Sequence, residues 1–224
     1  MSVKYVAIGI LVTVLVWTCG SKAVPGNESG IRQVLILGNS IVSHAPDTSI
    51  GWSGNWGMAA STQENDFVHL LMQRIHERDK NVFIQFANIA EFERDFDTYD
   101  LTQLAKFRDP DLLIIKLSEN VDTTMAAESD FVKYYNRLIN YIAPNRLTKK
   151  IIVDGFWPSR VNDMISDYAI ENGLPLVVIH DLYFDSINTA QGLFDHSGVA
   201  SHPSDRGMKQ ISDRIWGVIS NYFD

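Results

Sequence analysis

The sequence predicts an α/β domain, a three-layer α/β/α sandwich around a five-stranded parallel sheet. Five short runs rich in Val, Ile and Leu recur along the chain. They are too continuously apolar to alternate, as expected of strands buried on both faces. Segments with apolar residues at helical spacing separate them, so strands and helices alternate and right-handed crossovers put helices on both sides. No Pro/Gly/Ser-rich linker divides the middle of this 224-residue, 46% hydrophobic chain, which is long enough to bury one core.

Residues 33–37 form the first strand, with Val34-Leu35-Ile36-Leu37 closed by Gly38. The stretch 43–57 carries Pro46, Gly51, Gly54 and Gly57 and reads as a loop. A helix is expected over 58–78, with Phe67, Leu70, Leu71 and Ile75 on one face. Residues 82–86 are the second strand, 92–107 weakly helical, and 111–117 a third strand after Pro110. A helix over 131–142 ends before Pro144, and 150–154 is the fourth strand. A helix over 161–171 stops at Gly173, residues 176–179 are the fifth strand, and 205–222 form the last helix, with Met208, Ile211, Ile215 and Ile219 on one face.

The net charge of −8 supplies no basic stripe to neutralise phosphates, which argues against a nucleic-acid partner. At the start, Lys4 precedes an apolar segment over 5–17 that is shorter than a membrane span and has the order of an export signal. The single cysteine, Cys19, closes that segment, so no disulfide framework is available. This pattern resembles a bacterial lipoprotein signal, which implies lipidation at Cys19 and contact with a membrane only through that anchor. Residues 1–19 are then the signal, 20–30 a small-residue tether, and 31–224 the folded domain, placed outside the cytoplasm.

Sites in open parallel sheets form at the carboxyl ends of strands. Those ends deliver Gly38-Asn39-Ser40 from the first strand, Asn88-Ile89-Ala90 from the second and Ser118-Glu119-Asn120 from the third, while His202-Pro203 precede the last helix. An early Ser and a late His are one way to bring a nucleophile to its base. In this order the four blocks resemble the SGNH (GDSL-type) hydrolases, over residues 33–216. The resemblance implies the flavodoxin-like fold of that family and a serine esterase that uses neither metal nor organic cofactor. Ser40 matches the nucleophile, His202 the general base, and Asn120 and the backbone of Ala90 match oxyanion donors, Ala90 standing where the family has Gly.

Two further departures concern hydrogen bonding. Asn39 replaces the usual Asp before the nucleophile and is carried as a substrate-side residue. Val199 occupies the position three before His202, where the family has the Asp that orients the imidazole. Asp195, Asp205 or a backbone carbonyl remain to do so, with a Ser-His dyad and a carbonyl orienter preferred. The loop Gly51-Trp52-Ser53-Gly54-Asn55-Trp56-Gly57 puts two Trp close after the nucleophile, and Trp157 follows the fourth strand. These rings either stack on a sugar or acyl group or cover the core. Residues 91–94, Glu-Phe-Glu-Arg, read as a surface or loop ion-pair cluster. His44, His69, His76, His180 and His196 show no metal-site spacing.

The implied activity is hydrolysis of a carboxylic ester, with an acetyl or short acyl group on a carbohydrate as the leading substrate by analogy with exported members of the family. Two alternatives stay open: a binding protein of the same fold that has lost the chemistry, favoured by Val199, and a lipase or thioesterase with a different pocket.

Overall fold

The computed structural model describes residue 1 and residues 30–224. Cys19 and residues 2–29, which hold nearly all of the expected signal and tether, lie outside the described residues.

Five parallel strands form one sheet: β1 (Gln33–Gly38), β2 (Phe83–Asn88), β3 (Leu112–Lys116), β4 (Lys149–Val153) and β5 (Leu176–Val177), in the order β2-β1-β3-β4-β5. Strand alternation divides the apolar side chains between two cores. Val34, Ile36, Leu112 and Ile114 face a core shared with α1 (Phe67–Arg78) and α7 (Asp205–Ile219). Leu35, Leu37, Leu113 and Ile115 face the opposite core, built with α4 (Phe131–Ile142) and α5 (Arg160–Glu171). Burial on both faces is why β1 and β3 carry no alternation of polar and apolar residues.

The chain departs from the sequence-based expectation where local capping overrides periodicity. The first long helix begins at Phe67, nine residues later than its pattern suggests, because Asp66 caps it by accepting from the His69 N–H and also holds the Gly57 N–H. The stretch 92–107 divides into α2 (Ala90–Arg94) and a 3₁₀ segment, Leu101–Phe107. Two short helices were not expected: α3 (Thr123–Glu128), capped by Asp122, and α6 (Ser197–Ala200), capped by His196. Strand five is shorter than expected, since Ile179 leaves the ladder to bond the Asp154 carboxylate. Gly173 does end α5, at φ +62°, with Leu174 N–H donating to Ala169 and Gly173 N–H to Ile170.

The close approach that sets up the site is at the end of β1. A Cβ built on Gly38 would lie 2.8 Å from the Lys116 carbonyl oxygen and 2.4 Å from Val42 Cγ2, so only glycine lets the turn after β1 sit against β3. Gly38→Ala is therefore expected to destabilise the domain by ~1–3 kcal/mol through overpacking. Thermal unfolding should show a midpoint lowered by about 2–4 °C per kcal/mol.

Candidate active site

Ser40 sits in the tight turn that follows β1, where Val42 and Ser43 N–H groups both donate back to the Asn39 carbonyl. That turn lifts the Ser40 hydroxyl to the carboxyl edge of the sheet. His202 arrives from the other end of the chain, anchored by Ala190 N–H donating to its carbonyl and by Ser204 N–H donating to Asn188. Ser40 Oγ and His202 Nε2 are 2.8 Å apart, and His202 Nδ1 lies 2.7 Å from the Gly198 carbonyl oxygen. A carbonyl only accepts, so Nδ1 carries the proton and Nε2 is left to accept from the Ser40 hydroxyl. Burial holds the His202 imidazole down at about 4, against a smaller upward pull from the Gly198 carbonyl. The ring is thus neutral across the physiological range, as a general base must be.

The carbonyl comes from α6, so the orienter of His202 is the backbone rather than a carboxylate. Asp195 is exposed and makes no hydrogen bond to His202. Asp205, at the first turn of α7, accepts from the backbone N–H and hydroxyl of Ser61 and from Asn65, tying the loop before α1 to α7. Val199 is fully buried in a small apolar cluster.

Asn39 does not face substrate. It is completely buried, its amide donating to both oxygens of Glu93 and to Glu119 Oε2 at 2.6 Å, while its Oδ1 accepts from Ile41 N–H. Glu93 is likewise buried, which corrects the surface reading of residues 91–94. It accepts from Ser118 N–H at 2.6 Å and from Asn120 Nδ2 at 2.5 Å. Glu119 accepts from Phe156 N–H and from the buried Lys116 ammonium. Burial first, and the Glu119 charge second, push the Glu93 carboxyl up to about 7. Burial works against ionised Glu119 as well, but Lys116 and the Phe156 N–H outweigh it and hold its carboxyl below the ordinary range.

Ala90 opens α2 and does not have a positive φ, so its methyl group costs nothing there. Its N–H donates to Asn88 Oδ1 at 2.9 Å, which occupies the donor the sequence assigns to an oxyanion. The Ser40 N–H has no partner among the described residues.

Ser40, Asn120 and His202 meet at a cleft of about 640 Å³. Its outer wall comes from the segment after β2, with Tyr99, Phe107, Arg94 and Lys106, and His44 and His196 complete the rim. None of the three tryptophans lines it. Trp52 is buried, donates to the His44 carbonyl and packs edge-on against Trp56 in the cluster with Val199. Trp56 donates to the Ala60 carbonyl. Trp157 stands perpendicular to the His202 ring at 5.0 Å and donates to Ser201, so it backs the imidazole from behind. Trp52 is buried, Trp56 and Trp157 are half-buried against the core, and each indole N–H finds a carbonyl partner within its own neighbourhood.

Sequence reasoning missed Glu93, Tyr99 and Phe107. Lys116 was the available signal: a charge inside the strand Leu112–Lys116 demands a buried partner, and Glu119 stands three residues on. His180, exposed in part, pairs with buried Asp154 at 2.6 Å, away from the cleft. Among the described residues no group of His, Cys, Asp and Glu is arranged to hold a metal.

No family model matches the sequence, and no curated protein matches it. Solved structures do match in fold. A two-domain esterase, CEX, active on acetylated mannans, superposes with TM-score 0.55 at 17% identity, over 85% of this chain and 49% of its own. This chain therefore spans about half of that protein. A GDSL-like lipase from Bacteroides ovatus gives 0.54 at 14% identity over 85% and 98% of the two chains. The psychrotrophic esterase EstA from Pseudoalteromonas gives 0.51 at 14% over 85% and 98%. The chain has the SGNH hydrolase fold.

Because the Gly198 carbonyl already fixes the His202 tautomer, Asp195→Asn and Asp205→Asn are each expected to change kcat/KM on a short-chain aryl ester by less than about tenfold. Neutralising a true triad carboxylate costs ~10⁴-fold, so the assay separates the two arrangements cleanly.

Proposed function

We propose that this protein is a serine esterase that works through a Ser40–His202 dyad. The observation that carries the reading is the 2.8 Å contact between Ser40 Oγ and a buried His202 whose other nitrogen is committed to Gly198, at the floor of an open cleft. In the first half-reaction Ser40 Oγ attacks the ester carbonyl carbon and its proton passes to His202 Nε2. The negative charge then rests on the former carbonyl oxygen, within reach of the Ser40 N–H and the Asn120 amide. Collapse expels the alcohol, which takes the proton back from His202, and water repeats the sequence to release the acid.

The substrate reading is an acetyl or short acyl ester on a carbohydrate. Tyr99 and Phe107 bring aromatic side chains to the cleft wall, the residue type that the sequence reading placed on tryptophan, and polar Gln103, Arg94 and Lys106 stand beside them. The activity on acetylated mannans of the two-domain esterase supports the same class by analogy of fold. Export and lipid anchoring at Cys19 belong to this proposal and rest on the apolar segment over 5–17. The absence of a carboxylate on His202 favours the binding-protein alternative, and the nucleophile decides between them.

Ser40→Ala is expected to abolish ester hydrolysis with unchanged thermal unfolding, and a fluorophosphonate probe to label wild type at Ser40. A protein that never labels would be the binding module instead. For the anchor, full-length wild type should partition with membranes after expression in a lipoprotein-processing host. Cys19→Ala should lose that partition, since stable anchoring needs more than one acyl chain on the terminus.

A further inference from the structure

Beneath the cleft lies a polar cluster in which Asn39, Glu93, Lys116 and Ser118 are buried, and Glu93 is its centre. We infer that Glu93 is a positioning residue for the oxyanion site: as a carboxylate it fixes which end of the Asn120 amide is turned toward the cleft. The inference rests on the esterase reading, since it gives Asn120 a donor to orient.

A primary amide has one end with two N–H donors and one end that only accepts. An ionised carboxylate only accepts as well. With one Asn120 N–H committed to Glu93 Oε2 at 2.5 Å, the second N–H of the same nitrogen is the one left for the cleft that Asn120 lines. Turning the amide over would set its oxygen against Oε2 with no proton between them. The charge on Glu93 thus forbids the orientation that would present a carbonyl oxygen to a developing oxyanion. A protonated Glu93 could donate to that oxygen and the constraint would vanish.

Glu93 is itself held on two sides. It accepts from Ser118 N–H, two residues before Asn120, and from the side chain of Asn39, the residue before the nucleophile. One carboxylate therefore sets the donor amide relative to the turn that carries Ser40. The charged and titratable groups around it are Glu119 and Lys116 at the end of β3 and Tyr135 from α4. Burial and the Glu119 charge bring Glu93 up to about 7, whereas burial takes His202 down to about 4. Burial thus moves the two groups in opposite directions, and the variants below separate a limb that belongs to Glu93 from one that belongs to the base.

The test is the pH dependence of kcat and KM for hydrolysis of a short-chain aryl ester, from about pH 5 to pH 9, in wild type, Glu93→Gln, Asn120→Ala and the double variant. Wild type is expected to lose kcat as pH falls through about 7. Glu93→Gln, whose own amide can face Asn120 either way, should lower kcat at the alkaline plateau by ~10²-fold with KM nearly unchanged, and should lack that acid limb. Asn120→Ala should lack the limb too, and adding Glu93→Gln to it should cost little more. A limb near 7 that persists in Glu93→Gln or Asn120→Ala, or single effects that simply add, overturns the inference. If Glu93→Gln fails to fold, the limb in Asn120→Ala decides alone. Ser40→Ala in the same assay keeps the two readings separate. If it is inactive while the Glu93→Gln profile matches wild type, only the positioning role is lost. If it hydrolyses like wild type, the esterase reading fails and the positioning role with it.

Discussion

Two carboxylates buried side by side, Glu93 and Glu119, hold the carboxyl ends of the central strands together. Through Asn39, Glu93 and Glu119 grip the turn after β1. Through Ser118 and Asn120, Glu93 grips the loop after β3, and through Phe156 Glu119 grips the loop after β4. Removing such charges from water is unfavourable: at Glu119 the Lys116 ammonium and the Phe156 N–H outweigh that cost, whereas at Glu93 the converging N–H donors offset it only in part. Breaking one partner of a buried charged group costs on the order of 3–5 kcal/mol, which makes this cluster as much a structural tie as a polar lining. Asn in place of Asp at position 39 fits the same logic, because a third carboxylate there would have no donor to offer the other two.

The second constraint is the way His202 is kept ready. Its hydroxyl partner, its carbonyl partner and the perpendicular face of Trp157 fix the ring, and burial keeps it uncharged. A carbonyl sets tautomer and aim as well as a carboxylate does, but in the proposed reaction it would contribute less to stabilising an imidazolium. Under that proposal the electrostatic work would fall on the donors around the oxyanion, the Asn120 amide among them.

Much of the fold was legible because it depends on local patterns. The apolar runs of β1, β3 and β4 are buried on both faces, and Gly173 stops α5 through left-handed geometry that glycine adopts freely. The start of α1 was not legible, since Phe67 continues a periodicity that reaches back to Met58. Only the cap at Asp66, which also holds the loop through Gly57, shows where the helix begins. The aromatic wall of the cleft was hidden for a similar reason: residues 92–107 break into two short pieces whose orientation depends on how Phe92 and Phe96 pack beneath them.

For the site, residue type and order along the chain were enough to put Ser40, Asn120 and His202 forward as candidates, and the fold brings the three to one cleft because strand ends in a parallel sheet converge on one edge whatever the details of the loops. Sequence spacing also showed that no Asp stands three before His202, and so that some other group must orient it. It could not show that the group is the Gly198 carbonyl, since that requires α6 to turn back on itself directly before the histidine. Nor could it show that Asn39 and Glu93 face inward while the tryptophans cover the core. Whether a polar side chain meets substrate or another buried polar group is decided by contacts between residues such as Asn39 and Glu93, 54 positions apart, and these exist only once the chain has folded.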